Sequence, residues 1–492
     1  MTIALWLVPI AAGFAAIAPV GGVRARRALL VVIAAAHAGM TLSSWIVRPG
    51  PMFGGWVALD GPGLLFLTVT SALFLAAAVY GYGYLGREAA RARRVDFLTG
   101  APFANQPESL FVAGLLLFLG FMTLVTVSQH LALLWAAVEA TTLSSAPLIY
   151  FHRQKRALEA AWKYLIISSV GIALALLGTM FVSVAASGLA GGSSLVVGDL
   201  LARASYLDTD WLRPAFILVL VGYGTKMGLA PLHTWLPDAH SEAPSLVSAL
   251  LSGALLNTAF LGILRVAGIC GAAGLGSFTS ELLILFGILS MGVAAVFVLR
   301  QPDYKRMLAY SSVEHMGVLA FGVGIGGLAA YGAMLHVVTH SMTKGLLFLV
   351  AGNILAVYRT KAAQAVTGLW HTLPASGALW MAGFLAIIGT PPFGTFTSEL
   401  LVLKGGLDQG RWALSIVYLA LLATVFVGMA SAVLHMVQGR PAAAVVASRR
   451  ESLLALAPPA ALGLAALLPG LFIPGALDSV LADSAAMAGI GR

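Results

Sequence analysis

Five ionisable side chains lie inside long apolar segments of the sequence, namely Glu139, Lys163, Lys226, Lys344 and Glu399. A charge at the centre of a membrane helix costs about 2.5–3.5 kcal/mol on insertion scales. Such residues therefore pair with one another or line a water-filled path, where an amine or carboxylate can hold and release a proton. We interpret the set as a proton path (or a path for another monovalent cation). For any single member, a buried ion pair that only fixes helix packing is the alternative.

Glu139 and Lys163 differ in their surroundings. No charged residue lies within eight positions of Glu139, so its partner must come from another helix. Lys163 follows Glu159 by four residues near a predicted helix end, where a surface ion pair explains it almost as well.

Two of the five charges lie beside glycine- and proline-rich interruptions. Broken helices occur inside a bilayer only where the freed backbone is buried or lines water. Paired interruptions of this kind in two halves of a chain mark the ion sites of transporters. The interruption at Lys226 contains Gly222, Gly224, Gly228, Pro231 and Pro237, and the one before Glu399 contains Pro391, Pro392 and Gly394.

His336, His340 and Lys344 follow one another at intervals of four residues, so they share one helix face. Histidine titrates near pH 6.5, which predicts a proton relay; three hydrogen-bonded polar side chains are the alternative. The two histidines could also ligate a metal, but no acidic residue or cysteine nearby completes a set, and we expect no metal site. Glu314 and His315 either extend the relay or form an interfacial pair.

The composition requires a membrane. Hydrophobic residues make up 60% of the 492 positions and charged residues 10%, against about 25% charged in soluble domains. Cys270 is the single cysteine, which excludes a disulfide framework and a four-cysteine iron–sulfur site. There is no nucleotide-binding or zinc-protease motif, and the net charge of +9 lies in short loops, which argues against nucleic acid.

Fourteen apolar segments are long enough to be candidate membrane spans, because a span needs about 17–25 residues. Eighteen lysines and arginines lie in loops after odd-numbered spans and five after even-numbered ones. The positive-inside rule then places both termini outside. The basic residues follow the first apolar segment and do not precede it, which favours a membrane helix over a cleaved signal peptide. The spans are 4–20, 28–47, 61–85, 109–128, 131–151, 162–187, 213–235, 244–265, 278–300, 305–325, 329–357, 374–404, 412–438 and 453–473.

The predicted fold is an all-α polytopic membrane protein with two inverted five-helix repeats and broken helices 7 and 12. Glu139 precedes Lys226 by 87 residues, and Glu314 precedes Glu399 by 85. Five spans per unit make the second unit start on the opposite side of the membrane. The expected divisions are 1–108 (helices 1–3), 109–265 (helices 4–8), 278–438 (helices 9–13) and 439–492 (helix 14 and tail).

Three long stretches resemble the antiporter-like membrane subunits of respiratory complex I, a family that includes Mrp-type cation/proton antiporters and group-4 membrane hydrogenases. They are KMGLAPLHTWLPDAHSEAPS (226–245), DYKRMLAYSSVEHMG (303–317) and HVVTHSMTKGLLFLVAGN (336–353). LLWAAVEATTLSS, EAAWKYLIISSVGIALALLGT and SSVEHMG are most similar to the hydrogenase-4 component F branch.

The resemblance implies roles for the charged residues. Glu139 and Lys226 match the family's coupling pair, Lys344 matches a helix-11 lysine, and Glu399 matches the helix-12 exit residue. Asn257 stands where a helix-8 lysine is found, so Lys344 or a histidine carries the proton across the middle, or the chain pumps poorly or not at all. Residues expected to be accessory are Lys163, His233, His240, Asn257, Glu314 and His315.

The resemblance also implies a function. The expected protein is a proton-translocating subunit of a hydrogenase-4 or complex I-like oxidoreductase in the bacterial inner membrane, with no catalytic residue or cofactor of its own. Iron–sulfur clusters and nickel–iron or flavin groups are expected on partners, which include other membrane subunits and a peripheral cytoplasmic redox arm. The alternatives are an Mrp-type Na⁺/H⁺ antiporter, a membrane subunit for inorganic-carbon uptake, and a structural subunit that retains unused charges.

Overall fold

The computed structural model describes residues 1–18, 22–89, 100, 102–188, 194–440 and 451–487. Within these ranges the regular structure is helical, and extended pairing is limited to isolated bridges such as Met52 with Val57. Five of the loop cations lie outside the described residues, namely Arg91, Arg93, Arg94, Arg449 and Arg450.

The helices in chain order are α1 (Thr2–Ile17), α2 (Gly22–Ile46), α3 (Gly61–Ala89), α4 (Glu108–Val127), α5 (Leu131–Ile149), α6 (Lys155–Ala185), α7 (Val197–Ala202), α8 (Thr209–Met227), α9 (Trp235–Glu242), α10 (Ser245–Leu250), α11 (Leu256–Cys270), α12 (Gly276–Val298), α13 (Tyr304–Ile325), α14 (Gly327–Tyr358), α15 (Leu369–Thr372), α16 (Pro374–Ile387), α17 (Gly394–Asp408), α18 (Trp412–Val437), α19 (Leu453–Leu471) and α20 (Gly475–Met487). A π-helical turn, Leu251–Leu255, joins α10 to α11.

Ten helical stretches of the described chain are long and apolar enough to cross a membrane, which confirms a multi-pass membrane protein. Helices α1 and α16 are apolar but shorter. One stretch, Ser245–Val298, contains two of the predicted spans. It is interrupted at Gly274, where the backbone is left-handed (φ 85°), a conformation that glycine adopts without steric cost.

The predicted spans 213–235 and 374–404 are each interrupted in the structure. Helix α8 ends at Met227, the next residue Gly228 is left-handed (φ 87°), and α9 begins only at Trp235. Helix α16 ends at Ile387, and α17 begins at Gly394. The interruptions follow from the glycines and prolines, which remove helical hydrogen bonds and permit left-handed backbone.

Helix α14 lies at the centre of the bundle and packs against α3, α13, α16, α17, α19 and α20. Elsewhere, glycines bring helices into backbone contact. A Cβ at Gly287 of α12 would lie 2.7 Å from the Phe321 nitrogen of α13, and one at Gly171 of α6 would lie 3.0 Å from the Gly222 oxygen of α8. Small residues at such crossings allow the close approach that membrane helices use to associate.

Some cations that sequence reasoning placed in loops are buried. The Arg265 side chain is fully buried, and its Nη2 donates to the Thr126 carbonyl at 3.2 Å and to Asp60 Oδ1 at 3.4 Å. Lys305 Nζ donates to the Ala243 carbonyl at 2.7 Å, and Arg27 Nε donates to Glu108 Oε1 at 2.7 Å. Part of the loop-charge asymmetry therefore reflects cations that tie helices together, which a count along the chain cannot distinguish.

We expect Arg265→Ala to destabilise the chain by about 3 kcal/mol, because it removes the fully buried cation that pairs with Asp60 and leaves that carboxylate without a neutralising charge. Thermal unfolding in detergent measures the loss, and Arg213→Ala on the exposed face of α8 is the control. An unchanged melting temperature in Arg265→Ala would show that the Asp60 contact does not stabilise the fold.

Candidate functional site

The end of α8 holds Lys226 in a buried polar pocket. Its Nζ donates to Thr142 Oγ1 of α5 at 2.7 Å and to the Tyr164 hydroxyl of α6 at 2.5 Å. The Tyr164 hydroxyl in turn contacts Ser145 Oγ at 2.7 Å. The helix ends one residue after this lysine, at Met227, because Gly228 adopts a left-handed conformation.

Glu139 does not form an ion pair with Lys226 in this structure. Its Oε1 accepts a hydrogen bond from Ser169 Oγ at 3.0 Å, and its Oε2 is buried without a partner. Glu139 precedes Thr142 by three residues on α5, so the carboxylate and the hydroxyl that holds Lys226 share one helix face. The carboxylate and the amine are therefore held by different partners in this structure.

Lys163 is a surface residue and does not join the buried path. Its side chain is 45% exposed, and its Nζ pairs with Glu159 at 2.6 Å and with Asp238 at 3.0 Å. Of the two interpretations of Lys163, the structure shows the surface ion pair with Glu159 and not a charge inside the membrane path. Asp238 also accepts from Arg306 at 2.7 Å, so this network joins α6, α9 and α13.

The second half of the site is built on the inward face of α14. His336, His340 and Lys344 are all fully buried there, and their four-residue spacing places them on one face of the helix. Lys344 Nζ donates to Ser311 Oγ at 2.9 Å and to the Leu308 carbonyl at 2.7 Å, both on α13.

Three imidazoles, those of His315, His336 and His340, form one buried cluster. The His315 ring centre lies 5.0 Å from that of His336 and 4.9 Å from that of His340. His315 Nδ1 and His336 Nε2 are 2.9 Å apart and share a hydrogen bond. Glu314 is buried beside them, with Oε2 3.9 Å from His315 Nε2. Glu314 and His315 are thus both buried inside the bundle, and His315 lies beside the imidazoles of α14.

The cluster continues to Glu399 through α17. His336 Nδ1 contacts Ser398 Oγ at 2.9 Å, and Glu399 follows in the chain with Oε1 buried and unpartnered. Gly389, in the interruption between α16 and α17, makes room for this carboxylate, since a Cβ there would overlap Glu399 Oε2. A cavity of about 340 Å³ lies beside Glu399 and reaches the surface at Leu400 and Leu419.

Glu399 supplies the acidic residue that the sequence did not place near the histidines, so the expectation of no metal site changes. Ligand atoms of His315, His336 and Glu399 all lie within 4.8 Å of one another, so the three side chains could hold a metal ion. The carboxylate that seemed absent from the neighbourhood in sequence comes from α17, which packs on α14. Among these three side chains, His315 and His336 are joined directly by a hydrogen bond of 2.9 Å.

Between the two halves lie neutral or unpartnered polar groups. Asn257 Nδ2 donates to the Gly253 carbonyl and to Ser341 Oγ, both at 2.8 Å, while its Oδ1 has no partner. His240 is fully buried with neither ring nitrogen paired, and its ring lies 6.0 Å from Trp235 and 5.8 Å from Phe348.

His240 therefore contacts Trp235, a neighbour of the Lys226 pocket, and Phe348, which lies one helical turn from Lys344. The ring of Trp235 lies 4.8 Å from that of Tyr164, which holds Lys226, and the two rings are tilted by 48°. Phe348 follows Lys344 by one helical turn on α14. His233 lies to the side of this line, with its ring 6.4 Å from Tyr310.

Sequence reasoning missed the hydroxyl partners of the ionisable groups. Thr142, Tyr164, Ser311 and Ser398 hold Lys226, Lys344 and His336 in place. Hydroxyl side chains are common in membrane helices, so no sequence signal separates these four from others that bond only their own backbone.

We predict that His315→Gln lowers proton movement through the chain by roughly a hundredfold, because a positioned proton-transfer group contributes about 10²–10⁴-fold. Glutamine keeps a hydrogen-bonding side chain but cannot be protonated. Dye-monitored acidification of reconstituted vesicles measures the rate, with His371→Gln on the surface as the control. A wild-type rate in His315→Gln would show that protons do not pass through the imidazole cluster.

Comparisons with known proteins agree with this architecture. The family profile for the transmembrane part of NADH:quinone oxidoreductase and Mrp antiporter subunits matches residues 128–427. A hydrogenase-4 component F homolog from Methylacidiphilum infernorum is 37% identical over 375 residues, which cover 74% of this chain and 77% of that protein.

Solved structures match along nearly the whole chain. A chain of respiratory complex I from Thermus thermophilus is 26% identical with a TM-score of 0.77, covering 97% of this chain and 100% of that one. A chain of an archaeal membrane-bound sulfane sulfur reductase has a TM-score of 0.85 at 19% identity, covering 99% of this chain and 98% of that one, which shows the shared fold. The protein thus belongs to the family of antiporter-like membrane subunits of NADH:quinone oxidoreductases and Mrp antiporters.

Proposed function

We propose that this chain is the proton-translocating subunit of a multi-subunit membrane oxidoreductase, and that it couples electron transfer in partner subunits to proton movement. The observation that carries the proposal is the buried series of titratable groups from Lys344 through the imidazoles to Glu399. A packing role alone does not account for three adjacent imidazoles with unpaired ring nitrogens on His315 and His340. Intramembrane ionisable residues of this kind mark proton relays.

The proposed topology has fourteen membrane crossings, both termini on the periplasmic side of the inner membrane, and two inverted five-helix repeats within 109–265 and 278–438. Two features support it. Each proposed repeat contains one interrupted helix, at Gly228 and at Gly389, and each interruption adjoins a buried titratable residue. Broken helices at matching places are typical of transporters built from inverted repeats.

In the proposed mechanism a proton enters from the cytoplasm beside the broken α8 and is held by Lys226. Glu139 controls its release. When the carboxylate approaches, the ion pair holds the proton on the amine; when it turns to Ser169, as here, the lysine is held only by neutral hydroxyls. A neighbouring subunit that attracts Glu139 would therefore drive release.

From Lys226 the proposed route crosses to Lys344 past His240 and Asn257. Asn257 is an amide and cannot carry the excess proton, so the imidazole of His240 takes the place of the missing lysine, with water at its unpaired nitrogens. The proton then passes from Lys344 to His340, His315 and His336, and leaves from Glu399. The proposed order differs from the order in the sequence because His315 of α13 is closer to each of the two histidines of α14 than they are to each other.

The redox chemistry is proposed for the partners alone. The relatives are subunits of larger complexes, and we propose that iron–sulfur and nickel–iron or flavin groups lie on a peripheral arm bound to this membrane subunit. A second candidate is an Mrp-type Na⁺/H⁺ antiporter subunit, because the matched family profile includes both classes.

One experiment separates these functions. The complex is purified from native membranes through a tag on this chain, its subunits are identified, and it is reconstituted into vesicles with a pH-sensitive dye. We expect redox subunits with iron–sulfur signals in electron paramagnetic resonance, and proton movement that does not depend on Na⁺. Purification with membrane subunits alone, together with Na⁺-driven pH changes, would replace the proposal with the antiporter.

A further inference from the structure

A surface groove of about 1080 Å³ lies along the first half of α6. It is remote in sequence from the imidazole cluster, and the proposed proton path does not use it. One end is formed by Arg153, Lys155 and Arg156, and the wall beyond them by Trp162, Ile166 and Ile167.

The charged end of the groove has unpaired positive charge. Arg153, Lys155 and Arg156 are exposed, and none forms an ion pair or side-chain hydrogen bond with another described residue. The acidic residue of the groove, Glu159, is neutralised by Lys163 at 2.6 Å. Three cations are therefore left to attract an anionic group.

The rest of the groove is apolar and exposed. Trp162 is 57% exposed and Ile166 is 59% exposed, one helical turn apart on the same face of α6. Lys155 and Ile166 are eleven residues apart, which is about 16 Å along the helix axis. A ligand that fills the groove must combine a negative head with an apolar body of at least that length.

We propose that this groove binds an anionic phospholipid, with the phosphate on Arg153, Lys155 and Arg156 and an acyl chain along Trp162 and Ile166. Basic clusters next to membrane-spanning helices recognise anionic head groups, and tryptophan favours the membrane interface. Charge complementarity at one end and exposed apolar side chains at the other select a lipid over a soluble phosphate compound. The site does not depend on whether the chain moves protons.

Native mass spectrometry of the purified, delipidated complex tests the assignment. Dioleoyl phosphatidylglycerol and dioleoyl phosphatidylcholine are titrated separately. We expect phosphatidylglycerol to bind at least about tenfold more tightly than phosphatidylcholine, and Arg153→Gln/Lys155→Gln/Arg156→Gln to remove that preference. The matched control, Arg24→Gln/Arg300→Gln/Arg359→Gln, removes three exposed cations elsewhere and should keep it. Equal affinity for the two lipids, or equal losses in both variants, would overturn the proposal.

A second measurement identifies the occupant in native membranes. The photoreactive residue p-benzoylphenylalanine is placed at Trp162, and the cross-linked product is analysed after irradiation. A phospholipid adduct on the chain supports the lipid site. Cross-linking to a neighbouring protein subunit shows that a polypeptide covers the groove, and the lipid assignment is then wrong.

Discussion

Lys226→Ala is expected to reduce coupled proton movement to the background of vesicles without the complex, a loss of roughly a hundredfold or more. Alanine removes the one amine that Thr142 and Tyr164 hold in the first half of the path. The remaining hydroxyls can hydrogen-bond water, but they cannot hold an excess proton near neutral pH. The rate is measured from dye quenching in vesicles that contain the purified complex.

The variant complex should still assemble, because the site loses a buried charge together with the cost of burying it. Subunit composition after tag purification checks this. Lys404→Ala, at a lysine that is 59% exposed on α17, should transport at nearly the wild-type rate. Full proton movement in an assembled Lys226→Ala complex would sink the proposed mechanism.

The second large effect is expected at the opposite end of the path. Glu399→Gln should slow proton movement by roughly a hundredfold, because an amide of the same shape cannot carry the proton out. The neighbouring contact between His336 and Ser398 should persist, since glutamine fits beside Gly389 as the carboxylate does. Vesicle acidification measures the rate.

Glu281→Gln, at an exposed position on α12, controls for the loss of one negative charge. Glu399→Asp separates charge from reach, and we expect it to retain a larger share of the rate than Glu399→Gln. If Glu399→Gln transports at the wild-type rate, the proton leaves the chain by another outlet.

Much about this protein follows from its sequence because the causes are local. The shortage of charge requires a membrane, and glycine and proline interrupt the helices near Lys226 and Glu399 wherever those helices pack. Spacing along one helix also places His336, His340 and Lys344 on a common face without any tertiary contact. The long motif stretches identify the family, and the comparisons confirm it.

Tertiary structure decided which groups meet. Glu399 lies near His336 only because α17 packs on α14, and His315 joins the cluster only because α13 does so too. The sequence could not show that Lys163 lies at the surface or that Arg265 is buried, because both depend on how neighbouring helices pack. Helix periodicity specifies the direction of a side chain relative to its own axis. The neighbouring helix supplies the partner, and that choice depends on packing between residues far apart in the chain.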